Sequence, residues 1–228
     1  MGGVLLPLSF DFFLVSDGDD VSLGSPDVDL EDFEFQDWTE QYGDIKEAIP
    51  PDAPEPRGKV VDIRLYVDSD HAGDGRDRKS RSCYFIFVNK APVIWFSKKQ
   101  ATVETSVFGA EFVAMKLAME SNRALRYKLR MMGVPIDGQS YAYGDNMSVI
   151  HNTQRPESTL KKKSHQICYH AIRESVAMGE MLTAHIPTEL NPADIGTKLI
   201  PPGYKRDSLV DMLLWDTGTG NHLHDVEK

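Results

Sequence analysis

An α/β (α+β) domain built on a mixed sheet is what three features of this 228-residue chain predict. An alternating run places Val61, Ile63, Leu65 and Val67 on one face of a strand. Two apolar runs, CYFIFVN and APVIWFS, read as a hairpin around Lys90. Strands and helices then interleave in the order β-β-β-α-β-α-α-β-α, which puts helices on the faces of a mixed sheet.

The elements are set by local signals. Residues 1–35 read as an acidic arm in which Phe10, Phe12 and Phe13 sustain no period. QDWTEQYGDIKEAI (36–49) predicts a short helix. Pro50, Pro51, Pro54 and Pro56 make a stiff extended connector, ending at Arg57 and Gly58. The expected organisation is therefore an arm and connector over 1–57, largely disordered or peripheral, a globular domain over 58–204, and a tail over 205–228. After the first strand comes a charged, Gly-bearing loop, DHAGDGRDRKSRS. Thr105 or Ser106 caps a helix that runs to Met132, with Ser121 as a candidate break, and Gly133 and Pro135 stop it. YAYG is a strand, and DNMSVIHN is a short helix with Asp145 near its N-cap. Next come a basic helix, KKKSHQICYHAIRESVAMG, and the strand MLTAHI. The last helix starts around Asn191 to Ala193.

Charge is segregated. The chain as a whole carries −10, which taken alone argues against a polyanionic partner. Residues 1–57 hold 15 acids against two bases, Lys46 and Arg57, whereas residues 58–228 hold 20 acids against 23 bases. The globular part is mildly basic and carries an acidic arm, a pattern expected of a domain that meets nucleic acid. Two cysteines, Cys83 and Cys168, give no disulfide framework and no metal spacing, and read as neutral thiols in a reducing compartment. The start MGGVLLPLSFDFFLV lacks a basic leader and is too short to span a membrane. Leu6 stands where a myristoylation motif has Ser or Thr. The Trp and Met residues read as core or connector packing.

Four acids are the candidate site: Asp68, Glu111, Asp145 and Asp194. Each has an ordinary reading when taken alone. Asp68 ends a strand, on the face opposite Val61, Ile63, Leu65 and Val67, with Asp70 two residues on. Asp145 suits an N-cap, worth about 1 kcal/mol. Asp194 suits the dipole of the last helix. Glu111 lies among Val107, Phe108, Ala114 and Met115, where an uncompensated carboxylate would cost several kcal/mol, so it must snorkel, pair or bind a cation. Together, acids at strand ends and on an inward helix face are what two Mg²⁺ or Mn²⁺ ions at a phosphodiester need. Lys98, Lys99 and Gln100 precede the Glu111 helix and are candidate nucleic-acid contacts, as is Asn146. Lys161, Lys162 and Lys163 are a second basic patch, equally readable as a solvated helix start. His71 is a candidate substrate contact. His165 and His170, five apart, fall on different helix faces and make a poor metal pair.

The stretches VDSDHAGDGRDRKSRS, APVIWFSKKQATVETSVFGAEFVA, ALRYKLRMMGVP, YGDNMSVI, RPESTLKKKSHQICYHAIRE and NPADIGTK resemble the ribonuclease H domain of copia-type retrotransposon polyproteins. The resemblance covers roughly residues 36–200. It implies a ribonuclease H-like five-stranded mixed sheet flanked by helices. It also implies cleavage of the RNA strand of RNA–DNA hybrids with two Mg²⁺ or Mn²⁺ ions, leaving 5′-phosphate products. The family's D-x-D motif matches Asp68, with Asp70 as second choice. Its A-E-[YF] motif matches Glu111, its D-N motif Asp145, and its A-D-[IL]-x-T-K motif Asp194. Implied partners are the hybrid and a reverse transcriptase domain, and the implied location is intracellular: cytoplasm, retroelement particle or nucleus. There are departures. Cys83 stands where the family usually has Gly, which would strain the strand if the position needs positive φ. Ser164 replaces a frequent His, and HIPTELNP lacks the flexible-loop His of the cellular enzymes. With no Y-x-D-D signature upstream, the chain reads as a free-standing or truncated unit. The alternative reading is a non-catalytic nucleic-acid-binding transposon relic or an auxiliary subunit of a reverse transcriptase. In a third reading, the acidic arm masks the basic domain.

Overall fold

Strand β1 (Ile63–Asp70) is the axis of the molecule, and its alternation decides the layers. Ile63, Leu65 and Val67 enter one core, while Tyr66 enters a second core on the opposite face of the sheet. The computed structural model describes residues 36–160 and 165–214. Around β1 lie β2 (Arg81–Val88), β3 (Ala91–Lys99), β4 (Ser140–Gly144) and β5 (Met181–His185), in the order β3-β2-β1-β4-β5. β1–β2 and β2–β3 are antiparallel, whereas β1–β4 and β4–β5 are parallel. This is the ribonuclease H-like mixed sheet that the motif order implies.

Helix α2 (Val107–Met131) lies across the main core, with Phe112, Met115 and Met119 buried against Leu65 and Ile86. Full burial of each such side chain is worth about 1.5–3 kcal/mol. The hydroxyl of Ser106 accepts from Gly109 N at 3.2 Å, which settles the cap. The helix is unbroken at Ser121, whose hydroxyl shares a 2.6 Å hydrogen bond with Tyr84 of β2 instead of competing for helix backbone. Gly133, at φ +70°, supplies the left-handed residue that ends it. Helices α3 (Met147–Gln154) and α4 (Gln166–Ala177) complete this layer.

Two boundaries and one strain expectation differ from the sequence reading. Residues 36–57 are ordered and anchored to the domain at Trp38 and Glu47, although most of them lie exposed at its periphery. Helix α1 (Thr39–Tyr42) comes directly after Trp38, which is buried in the main core beneath the Arg173 guanidinium at 4.9 Å. Glu47 then clamps Arg126 at 2.7 Å, and also pairs with Arg130. At the other end the chain does not become a tail at 205. After the short α5 (Asp194–Thr197) it forms α6 (Tyr204–Leu213), whose Leu209 is fully buried and whose Met212 and Leu213 join the second core. Cys83 sits mid-strand in β2, paired with Asp68, and not at a positive φ, so the expected strain is absent. Its space comes from Gly196, where an added Cβ would collide with the Cys83 sulfur.

Burial pushes the Cys83 thiol up to about 12 and also raises Cys168, so both are neutral thiols. Of the tryptophans, Trp38 is core, but Trp95 on edge strand β3 is 70% exposed. Phe10, Phe12 and Phe13 lie outside the described residues, as do Lys161, Lys162, Lys163 and Ser164.

Candidate metal centre

The four acids arrive from four elements. Asp68 stands near the end of central strand β1, Glu111 on the second turn of α2, Asp145 just after β4, and Asp194 at the first residue of α5. Parallel pairing of β1 with β4 brings the ends of these strands to the same side of the sheet. The 191–197 segment is tied there by Asn191, whose fully buried side chain donates to Val67 O at 2.9 Å and accepts from Ala193 N at 3.1 Å. Ser97 Oγ donates to Gly196 O at 2.5 Å and fastens the other side.

Asp68, Asp145 and Asp194 each offer a carboxylate oxygen within 4.8 Å of the others. Asp68 and Asp194 are each 1% exposed, and Asp145 is half-buried. Glu111, 6% exposed, borders the same cleft of about 500 Å³ but is not in that triplet. Neither Asp145 nor Asp194 serves as a cap. Asn146 caps α3, accepting from Ser148 N at 3.1 Å, and Asp145 instead accepts from Thr188 Oγ1 at 2.8 Å. Asp194 takes Lys198 Nζ at 2.7 Å and Lys205 Nζ at 2.8 Å.

The environments split the acids electrostatically. Burial lifts the Asp68 carboxyl to about 6, with Asp194 and Asp145 adding to it, against the Thr197 hydroxyl and the Lys198 ammonium. Burial also raises Glu111 well above the carboxylate range, reinforced by Asp68 and Asp145. Burial alone would raise Asp194 too, but its two lysine partners outweigh that and hold it low. Asp68 Oδ2 accepts from Thr197 Oγ1, while Asp68 Oδ1 is buried with no hydrogen-bond partner. A buried carboxylate oxygen left unpartnered among other carboxylates fits a divalent cation, and oxygen-only donors suit a hard ion.

The expected nucleic-acid contacts fare differently. Lys98 is exposed at the end of β3. Lys99 pairs with Asp74 and lies 3.4 Å from Asp77. Asn146 lines the cleft while capping α3. Gln100 is buried and structural: its Nε2 donates to Ser82 Oγ at 2.8 Å and to Ala110 O at 2.9 Å, pinning β2 to α2. It is not a surface contact. His71 also borders the cleft, with its Nε2 3.1 Å from Glu104 O. Five residues escaped the sequence reading: Asn191, Thr197, Lys198, Thr188 and Lys205. The first three lie inside the NPADIGTK stretch, and Thr197 and Lys198, three and four residues after Asp194, are helical neighbours of it. Lys205 lies beyond the stretch that carried the resemblance and left no signal.

Sheet order and carboxylate cluster together define a ribonuclease H-like domain with a candidate divalent-cation site. The chain is homologous to retrovirus-related Pol polyproteins of transposons. It is 28% identical over 142 residues to that of transposon RE1 of Arabidopsis thaliana, a match covering 62% of this chain and 10% of that protein. It is 31% identical over 139 residues to that of transposon TNT 1-94 of Nicotiana tabacum, covering 61% and 10%. The chain thus spans about a tenth of the length of these relatives. No protein-family model matches it. Among solved structures, a ribonuclease H1 in complex with RNA/DNA hybrid aligns at a TM-score of 0.47 and 19% identity, covering 59% of this chain and 93% of that one. The motif resemblance and these relatives point the same way: the chain is similar to a short part of transposon Pol polyproteins.

Proposed function

We propose that this chain is a metal-dependent endonuclease that cuts the RNA strand of RNA–DNA hybrids and leaves 5′-phosphate ends. The observation that carries this reading is the unpartnered, buried Oδ1 of Asp68 within the Asp68–Asp145–Asp194 cluster. Asp68, Asp145 and Asp194, with Glu111 beside them, are the residues that would hold two Mg²⁺ or Mn²⁺ ions. When bound, such ions lower the pKa of an attacking water and steady the leaving 3′-oxygen.

The remaining roles belong to the protein. Thr197 orients Asp68 by donating to its Oδ2, and Thr188 orients Asp145. Burial raises the Glu111 carboxyl well above the usual carboxylate range, so a cation held there would have to displace its proton, which would link loading to pH. Lys98, exposed at the end of β3, supplies positive charge for backbone phosphates. Selectivity for the hybrid would come from its shape and the 2′-hydroxyls of its RNA strand. The relatives' Pol polyproteins support a reverse transcriptase as companion, and we propose an intracellular place of action in the cytoplasm, a retroelement particle or the nucleus.

The test is a substrate panel: end-labelled hybrid, double-stranded RNA and double-stranded DNA of one sequence, each with Mg²⁺, Mn²⁺ or chelator. The expected result is loss of the RNA strand of the hybrid alone, with either metal and not with chelator. Hybrid binding with no cleavage under both metals would replace this reading with that of a binding relic or auxiliary subunit.

A further inference from the structure

Asp194 presents both carboxylate oxygens to ammonium groups. Lys198 Nζ lies 2.7 Å from Oδ1 and 3.4 Å from Asp68 Oδ2, and Lys205 Nζ lies 2.8 Å from Asp194 Oδ2. These are oxygens that the cluster would otherwise offer to a metal. Lys198 comes directly after α5, but Lys205 comes from the first turn of α6, a helix outside the stretch of family resemblance.

We propose that Lys198 and Lys205 are resident counter-ions that a divalent cation must displace from Asp194, so that helix α6 sets the metal affinity of the site. The proposal rests on the metal-dependent reading of the cluster. Its physical basis is uneven charge compensation. The Asp194 side is neutralised by two cations, whereas Asp68 Oδ1 and buried Glu111 receive none. A metal ion and an ammonium cannot both sit against one carboxylate oxygen without strong repulsion. Entry is therefore open beside Asp68 Oδ1 and contested at Asp194. The lysines can yield, because their side chains are 42% and 39% exposed and reach solvent by rotation. Lys198 lines the cleft, so once displaced it still contributes positive charge there. In the metal-free protein the pair screens three clustered carboxylates and stabilises their packing. Lys198 and Lys205 are thus positioning residues for the cation, acting through Asp194.

The experiment is a Mn²⁺ titration of the full chain, with free Mn²⁺ read by electron paramagnetic resonance, on wild type, Lys205→Met and Lys205→Arg. Wild type should bind one ion more tightly than a second. Lys205→Met should bind the weaker ion about fivefold more tightly, the size expected for removing one half-exposed ion pair, and Lys205→Arg should match wild type. A lysine with a merely structural role would alter the melting temperature and leave the isotherm unchanged. Superimposable isotherms for wild type and Lys205→Met would overturn the proposal while leaving the metal-dependent reading intact. No Mn²⁺ binding by any of the three would overturn both.

Discussion

Asp68 is a carboxylate whose burial couples the stability of the fold to pH. At 1% exposure, with Oδ1 unpartnered, its pKa rises from the ordinary 3.8 to about 6. The folded state therefore binds this proton more tightly than the unfolded chain. The resulting stabilisation is fully present below about pH 4 and is lost as pH rises through about 6, a change of roughly 3 kcal/mol. Glu47 acts with the opposite sign: burial raises its carboxyl, but Arg126 and Arg130 hold it lower, so its contribution fades as pH falls below the usual carboxylate range. Asp68→Asn separates the two. In chelator, urea unfolding should find this variant more stable than wild type at pH 7 and no different at pH 4; equal stability at pH 7 would contradict the burial argument. At this scale the sequence was informative for the acids, because each sits in a short motif whose strand or helix context fixes its direction. It was uninformative for Gln100, whose burial depends on β2 and α2 meeting, and for Lys205, whose partner is brought close only by the chain reversal after α5.

Short α5 has four helical residues and depends on its neighbours for position. Contact with β2 supplies part of that: Gly196 lies against Cys83, and Ser97 of β3 binds its carbonyl. The two positions are complementary, since a side chain at one requires its absence at the other. Gly196→Ala should destabilise the protein by about 2 kcal/mol through overpacking. Adding Cys83→Gly should recover part of the loss, read as positive coupling in a double-mutant cycle by urea unfolding. Strictly additive effects would show that the contact is not tight. The helices and strands themselves were legible from period and caps: α2, the β2–β3 hairpin and β5 fall close to expectation. The break expected at Ser121 did not materialise, because a hydroxyl that can disrupt a helix has Tyr84 as a tertiary partner. Helix α6 was missed because it buries few residues, only Leu209 fully, and so carries a weak apolar stripe.

At the scale of the whole molecule, the described fold extends beyond the 58–204 domain that the sequence predicts. A proline-rich connector reads as a spacer from composition alone, yet this one returns along the domain, with Arg57 N donating to Gly133 O at 2.8 Å and Val61 N to Pro135 O at 3.0 Å. Its anchor is Glu47 against Arg126, which is 1% exposed. Glu47→Gln should cost about 3–5 kcal/mol, because it leaves a buried guanidinium without its counter-charge. Correspondingly, removal of residues 1–35 should preserve cooperative unfolding, whereas removal of 1–57 should abolish it or lower the melting temperature steeply; equal melting of the two truncations would contradict the docking of Trp38 and Glu47. Among the described residues no helix is long and apolar enough to cross a membrane. The central claim, that the clustered carboxylates cut a hybrid, is tested most directly by single-turnover cleavage of a labelled RNA–DNA hybrid in Mg²⁺ or Mn²⁺ by wild type and by Asp145→Asn, with circular dichroism to verify the fold. Asp145 is half-buried and caps no helix, so the variant should fold as wild type does and lose cleavage in either metal. Cleavage at the wild-type rate by a folded Asp145→Asn protein would contradict the account.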